Sequence, residues 1–423
     1  MSAVPPRRPG SGEDPALNAV PSRRTRPGAG SGTSAVPPQG ADSGEGSALG
    51  SVPPQGADSG EGSALGSVAP RRPQPGRGPV LGAVPEEAVE VPAEIADAVR
   101  RLVPGAGPEA VRGVPLTGGV SSDVWRVDLP DGPVCAKRAL EKLKVSGDWR
   151  VPTGRAAWEA RWLALAGELL PGAACGLRAY DERNGVLILE WLDPADHPVW
   201  KERLSAGDID PAAAGEVGRR LAALHAGAAR CELGEWEAAR PLFDALRIDP
   251  YLRVTARRHP ALAPRLDALA AGLGTAAITV VHGDVSPKNI LLGPDGPVLL
   301  DAECASPGDP AFDLAFCANH LLLKAVWHPA DGARLAEAFH ALAGAYLDGV
   351  DWEPRADLER RAAALLPALA LARADGKSPV EYLTEENGRP AVRRAATGLL
   401  ERPPSTLAEL ADRWAATTEE NRT

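Results

Sequence analysis

The chain has 423 residues, 44% of them hydrophobic and 24% charged, with a formal net charge of −10. That length leaves room for a large folded domain plus an extra segment, and the acidic balance argues against nucleic acid or an anionic membrane as partner. Five cysteines, Cys135, Cys175, Cys231, Cys304 and Cys317, are odd in number and form no C-x-x-C pair, which argues against a disulfide framework and a zinc site.

Residues 1–90 are dominated by Pro, Gly, Ser and Ala, and the stretch from Ser34 to Gly50 is echoed from Ser51 to Gly66. Too few large apolar side chains are present to offset chain entropy, so this segment is expected to be disordered. No run of about eighteen apolar residues occurs, and the N-terminus lacks a basic segment followed by an apolar stretch and a cleavage signal. The expected location is the cytoplasm.

Residues 116–127 read as strand, Gly-rich turn and strand, with Gly118, Gly119, Ser121 and Ser122 in the turn. The next strand, 133–140, carries Lys137. Good helix formers follow from Gly154 to Leu165 and include Glu159. Another strand, 185–189, runs into Glu190, Trp191 and Leu192. Asp210 before Pro211 marks a helix start, and Val217, Leu221 and Leu224 then recur on one face up to His225.

The most informative text is V-V-H-G-D-V-S-P-K-N-I-L-L from Val280 to Leu292, then G-P-D-G and P-V-L-L-D-A-E ending at Glu303. Two short apolar runs around a Gly/Pro/Asp turn predict a hairpin that returns Asp301 beside Asn289. On an extended strand Asp301 and Glu303 share a face. The oxygen-rich result, with Asp284 on the preceding loop, suits Mg2+ bound to nucleotide phosphates. His282 reads as a buried residue fixing the loop, and Lys288 as either a γ-phosphate contact or a solvated lysine. Cys304 reads as a small packing residue. Asp313 reads as the N-cap of a helix over 313–324.

Protein-kinase-like phosphotransferases have a catalytic loop H-R-D-x-x-x-x-N and a metal-binding Asp one hairpin later. Here the frame is H-G-D-V-S-P-K-N, then D-A-E, which resembles the aminoglycoside phosphotransferase and choline kinase superfamily of small-molecule kinases. The D-x-E element, with G-D-P-A-F-D-L-A from Gly308, is similar to methylthioribose kinases, although those replace the loop Asn and this chain keeps Asn289.

The resemblance implies a two-lobed α+β protein-kinase-like fold. Residues 91–192 would form a nucleotide-binding lobe with a small antiparallel sheet. Residues 193–423 would form a mostly helical lobe with the catalytic loop and acceptor site. It implies ATP and Mg2+ as cofactors and transfer of the γ-phosphate to a hydroxyl of a sugar, amino alcohol or aminoglycoside-type acceptor. Asp284 would be the catalytic base, with Asn289, Asp301 and Glu303 on metal; Glu303 is also open to a metal-bound water or to capping its turn. Gly118, Gly119, Ser121, Ser122 and Lys137 would serve the phosphates, Glu159 would pair with Lys137, and the backbone at Glu190 and Leu192 would meet adenine. Asp313 would brace the catalytic loop.

Acceptor residues in such kinases come from C-terminal helices and loops, which points to Arg373, Asp375 and Lys377, and the acidic net charge suits a cationic acceptor. A non-catalytic nucleotide-binding regulator is the alternative. A protein kinase is disfavoured by the absence of H-R-D, D-F-G and A-P-E text. The sequence carries no signal of oligomeric state.

Overall fold

The computed structural model describes residues 88–107, 111–116, 122–140 and 154–419, all within the second of two units, 74–423. The N-terminal repeat and the loop residues Gly118, Gly119 and Ser121 lie outside the described residues.

The smaller lobe opens with β1 (Val89–Glu90) and α1 (Ala93–Leu102), followed by β2 (Arg112–Leu116), β3 (Ser122–Val127) and β4 (Val134–Ala139). Helix α2 (Arg155–Leu169) comes next, then β5 (Leu177–Asp181) and β6 (Val186–Glu190). These strands form an antiparallel sheet in the order β1-β2-β3-β4-β6-β5. Strand β6 is the apolar run V-L-I-L, and both of its faces are buried. Val186 and Ile188 join α1 on one side, while Leu187 and Leu189 join α2 and the main core on the other. Alternation of side chains along a strand makes this division automatic.

The larger lobe is mostly helical: α3 (Trp200–Ser205), α4 (Pro211–Ala228), α5 (Arg240–Phe243), α6 (Val254–Arg258) and α7 (Ala263–Thr275). A π-helical stretch, Asp244–Arg253, joins α5 to α6 with Pro250 inside it. Helix α4 begins as its sequence predicts, since the Asp210 side chain accepts from the Ala212 N–H ahead of a Pro at the first helical position.

Strand β7 (Thr279–Val281) leads into the loop holding Asp284, and the hairpin of β8 (Ile290–Gly293) and β9 (Gly296–Leu299) follows. Ile290 pairs with Leu299 and Gly293 with Gly296, which is the register the turn chemistry predicts. Strand β10 (Ser306–Gly308) returns to pair with β7. The chain closes with α8 (Pro310–Trp327), α9 (Gly332–Asp348), α10 (Arg355–Asp375), α11 (Arg389–Glu401) and α12 (Leu407–Glu419). The fold is two-lobed, α+β and protein-kinase-like. Among the described residues no helix is long and apolar enough to cross a membrane.

Two sequence expectations change here. Helix α8 starts one turn earlier than expected, because Asp309 caps it by accepting from the Ala311 N–H, with Pro310 at the first position. Asp313 therefore sits inside the first turn. The strand geometry expected to align Asp301 with Glu303 is also absent: β9 stops at Leu299, and Asp301 takes a left-handed backbone, φ 66°.

Candidate active site

Asp313 braces the loop that carries Asp284. Its two carboxylate oxygens accept from the backbone N–H groups of His282 at 2.7 Å and Gly283 at 2.9 Å. His225, at the far end of α4, supports it: Nε2 stands 3.1 Å from Asp313 and Nδ1 lies 2.7 Å from the Tyr346 hydroxyl. Gly283 adopts φ +79°, and a Cβ there would lie 2.7 Å from the Cys304 carbonyl oxygen, so the loop passes close to the segment after β9.

His282 is buried with its ring edge-on to Trp162. Its Nε2–H donates to the Leu300 carbonyl at 3.0 Å, and its Nδ1 accepts from the Asp284 N–H at 3.1 Å. Both ring nitrogens are thus spent on backbone, and burial holds the imidazole below its ordinary pKa, hence neutral. Cys304 is likewise buried, and burial pushes its thiol well above the usual range, which suits packing and not nucleophilic chemistry.

Asp284 is 5% exposed and surrounded by donors. Lys288 Nζ stands 3.0 Å away, Asn289 Nδ2 2.8 Å and Arg247 3.1 Å. Burial pushes this carboxyl up, but Arg247 and Lys288 more than offset it, so it lies below its ordinary value and is ionised at neutral pH. Arg247 also donates to the Gly283 carbonyl and lies over the Phe316 ring. Sequence reasoning missed this residue. It comes from the π-helical stretch, far upstream of the loop.

Asn289 gives its amide nitrogen to the Asp284 main-chain and side-chain oxygens, so its amide oxygen makes no hydrogen bond among the described residues. Leu300 N–H donates to the Asn289 carbonyl at 2.9 Å, which places Asp301 next to it. Asp301 then reaches across to the smaller lobe and pairs with Lys137. Lys137 is buried and bonds both oxygens of Glu159 at 2.7 Å. Burial opposes its charge, yet Asp301 and Glu159 more than reverse that, so its pKa is above the usual lysine value. Burial pushes the Asp301 carboxyl up and Lys137 pulls it down further, leaving it well below the carboxylate range.

Glu303 turns to a different cation, Arg155 at the start of α2, at 2.9 Å, and Arg155 also donates to the Leu140 carbonyl at 2.5 Å. The convergence of Asp301 and Glu303 on the smaller lobe thus comes from the left-handed kink at Asp301. Oxygen donors from Asn289 and Asp301 fit a hard divalent cation. Among the described residues no three His, Cys, Asp or Glu side chains form a metal cluster by themselves.

The remaining residues fall in three places. Ser122 opens β3 with its hydroxyl buried and unpartnered among the described residues. At the lobe junction the Glu190 side chain accepts from the Gly176 N–H at 2.7 Å, and Leu192 packs on the main core. At the end of α10, Arg373 donates to the Ser378 carbonyl at 2.5 Å and stands 3.5 Å from the Tyr251 hydroxyl. Asp375 is held by Arg393 at 2.6 Å and His259 at 2.9 Å, while Lys377 is exposed and its backbone N–H donates to the Pro250 carbonyl.

The phosphotransferase enzyme family model, APH, matches residues 112–358, more than half of the chain, and the chain belongs to that family. Methylthioribose kinase from Yersinia enterocolitica is 26% identical over 218 residues, or 45% of this chain and 54% of that protein. The chain thus spans about half the length of the curated relatives it matches. The solved structures that align include a choline/ethanolamine kinase family protein from Mesorhizobium loti and an aminoglycoside phosphotransferase from Alicyclobacillus acidocaldarius. The first is 19% identical over 78% of this chain and 94% of that one, TM-score 0.38. The second is 16% identical over 81% of this chain and 98% of that one, TM-score 0.41.

Proposed function

We propose that the protein transfers the γ-phosphate of ATP to a hydroxyl of a small molecule. The observation that carries this reading is the pairing of Asp301, from the catalytic hairpin, with Lys137, which Glu159 holds in the other lobe. It ties the lysine assigned to the phosphates to the segment that follows the loop of Asp284, the kind of juxtaposition phosphoryl transfer requires.

Lys137, fixed by Glu159, contacts the α- and β-phosphates, a role shared by Ser122 and by Gly118, Gly119 and Ser121, which lie outside the described residues. The backbone at Glu190 and Leu192 serves the adenine edge. Asn289 and Asp301 would hold Mg2+, with Glu303 beside them steadied by Arg155; when bound, the metal neutralises charge on the phosphate oxygens. Asp284 orients the acceptor hydroxyl. As the new O–P bond forms and the bond to the ADP oxygen breaks, the hydroxyl proton passes to Asp284. Asp313 acts only through the loop, by keeping Asp284 in place.

The test is ADP release with Mg-ATP and a panel of hydroxylated small molecules. Asp284→Asn should lower kcat by about 10²- to 10⁴-fold, the usual weight of a positioned base, while Mg-ATP affinity stays within a few-fold. Unchanged turnover removes Asp284 from the mechanism. Mg-ATP binding with no acceptor-dependent ADP favours a non-catalytic regulator.

A further inference from the structure

The acceptor side carries a charge pattern opposite to that of the whole chain. Helix α3 packs on the turn of Lys288 and Asn289. From Asp284, contacts lead through Arg247 to the Phe316 ring, and from there to Tyr251 at 5.4 Å and His320 at 5.9 Å. Phe316, His320 and Lys324 follow each other at four-residue spacing on α8, so they share one face. Helical side chains lean toward the helix N-terminus, which here is the end that Asp313 ties to the catalytic loop.

Four cations, Arg373, Lys324, Lys288 and Lys201, all act on His320, which burial and this positive field hold well below its ordinary pKa. Two of them have carboxylate partners: Lys201 with Glu381 at 2.7 Å, and Lys288 with Asp284. The other two have no carboxylate within ion-pair distance among the described residues, Glu381 acting on both from further off. Lys324, 1% exposed, bonds only the Ser205 hydroxyl at 2.9 Å and lies over the rings of Trp327 and Tyr382 at 5.2 and 5.1 Å. Burial, then Lys201, bring its pKa down to about 8, against a smaller opposing pull from Glu381. Arg373 has only carbonyl and hydroxyl partners, and its Nε is buried with nothing to donate to. The Tyr382 hydroxyl beside them is also buried and unpartnered.

One carboxylate, Glu381, faces Lys201, Lys324 and Arg373 together, so cations outnumber carboxylates here, and each buried donor without an acceptor adds a further cost. Three unfilled positions of this kind, on α8, α10 and the segment after α10, have one chemical remedy in common. We infer that the acceptor carries an anionic group, a carboxylate or a phosphate ester, that seats among Lys324, Arg373 and Tyr382 while its hydroxyl meets Asp284. The inference rests on the phosphotransferase reading and narrows it. It also reverses the expectation of a cationic acceptor drawn from net charge, because the excess of carboxylates over the molecule does not extend to this face.

The experiment fixes the carbon skeleton and varies the charge. ADP release with Mg-ATP is measured for glucose, glucosamine, gluconate and glucose 6-phosphate, and for glycerol, serinol, glycerate and glycerol 3-phosphate. Thermal stabilisation by the same compounds is recorded without nucleotide. The anionic members should have kcat/KM about 10- to 100-fold above their neutral partners, the worth of a charge-assisted hydrogen bond or two, and only they should raise the Tm. The carboxylate and phosphate arms tell which anion the site takes. Arg373→Gln, at a half-buried position, and Lys324→Met should each shrink the anionic-to-neutral ratio by about tenfold or more. Turnover of neutral or cationic members that equals or exceeds the anionic ones overturns this inference and leaves the phosphotransferase reading standing. Absence of both ADP release and stabilisation across the panel overturns the two together.

Discussion

Arg247 sets the charge state of Asp284 as well as its position. Burial alone would raise the Asp284 carboxyl; Arg247 is the largest opposing influence and Lys288 the next. Removing the guanidinium should therefore raise that pKa. If catalysis needs ionised Asp284, the acid limb of the kcat/KM profile of Arg247→Met should move up toward neutral pH, with the plateau reached at a higher pH than in the wild type. An acid limb that stays in place would show that Arg247 serves only to hold the loop. Asp375 gives the contrasting case of a charge committed to structure, between α10, α11 and His259. Burial raises its carboxyl, and the hydrogen bonds from Arg393 lower it further, so the folded value lies below the unfolded one. Its stabilisation is present above the unfolded pKa and lost as pH falls through the folded one. Asp375→Asn should lose about 1.5–3 kcal/mol at pH 7, the range for hydrogen bonds to a charged group. Urea titrations should find that gap closing below about pH 4, where an unperturbed Asp begins to protonate.

The elements that place these residues were legible to different degrees, for physical reasons. The β8–β9 hairpin could be read because turn chemistry and register are local. The cap of α8 was misassigned to Asp313 although Asp309 stands directly before Pro310, the same Asp-Pro signal that marks α4 correctly at Asp210. Arg247 could not be read at all. A π-helical stretch has no 3.6-residue apolar period to announce which face it turns inward, and Pro250 within it speaks against a helix. Asp301 was placed in the right neighbourhood for the wrong reason, since nothing in D-A-E signals a left-handed residue. The loop of Gly283 is the element most exposed to a single change. Gly283→Ala puts a Cβ 2.8 Å from the Cys304 Cβ as well as forcing a positive φ. About 1–3 kcal/mol of stability should go to the backbone conformation alone. Turnover should fall more than Mg-ATP affinity, because Asp284 follows directly. Near-normal kcat in this variant would mean that the loop can take up another path.

At the scale of the whole molecule, the two lobes share a strand and a helix. Val186 and Ile188 belong to the core under α1, whereas Leu187 and Leu189, their immediate neighbours, belong to the core that continues through Trp162 and Leu163 of α2 into the helical lobe. The smaller sheet cannot unfold without withdrawing Leu187 and Leu189 from that larger core. The pairs Lys137–Asp301 and Arg155–Glu303 cross the same boundary. Residues 88–419 should therefore melt in one cooperative transition, although the lobes look separable in the sequence, where the run from Glu190 to Asp193 reads as a simple junction. Ile188→Ala and Leu187→Ala empty opposite faces of one strand, and each should cost about 2–5 kcal/mol, as buried large-to-Ala changes do. If the coupling is as described, both variants lower the same single transition in calorimetry, with calorimetric and van't Hoff enthalpies in agreement. A separate low-temperature transition in Ile188→Ala alone would mean that the sheet and α1 unfold on their own, and that β6 does not bind the lobes into one unit.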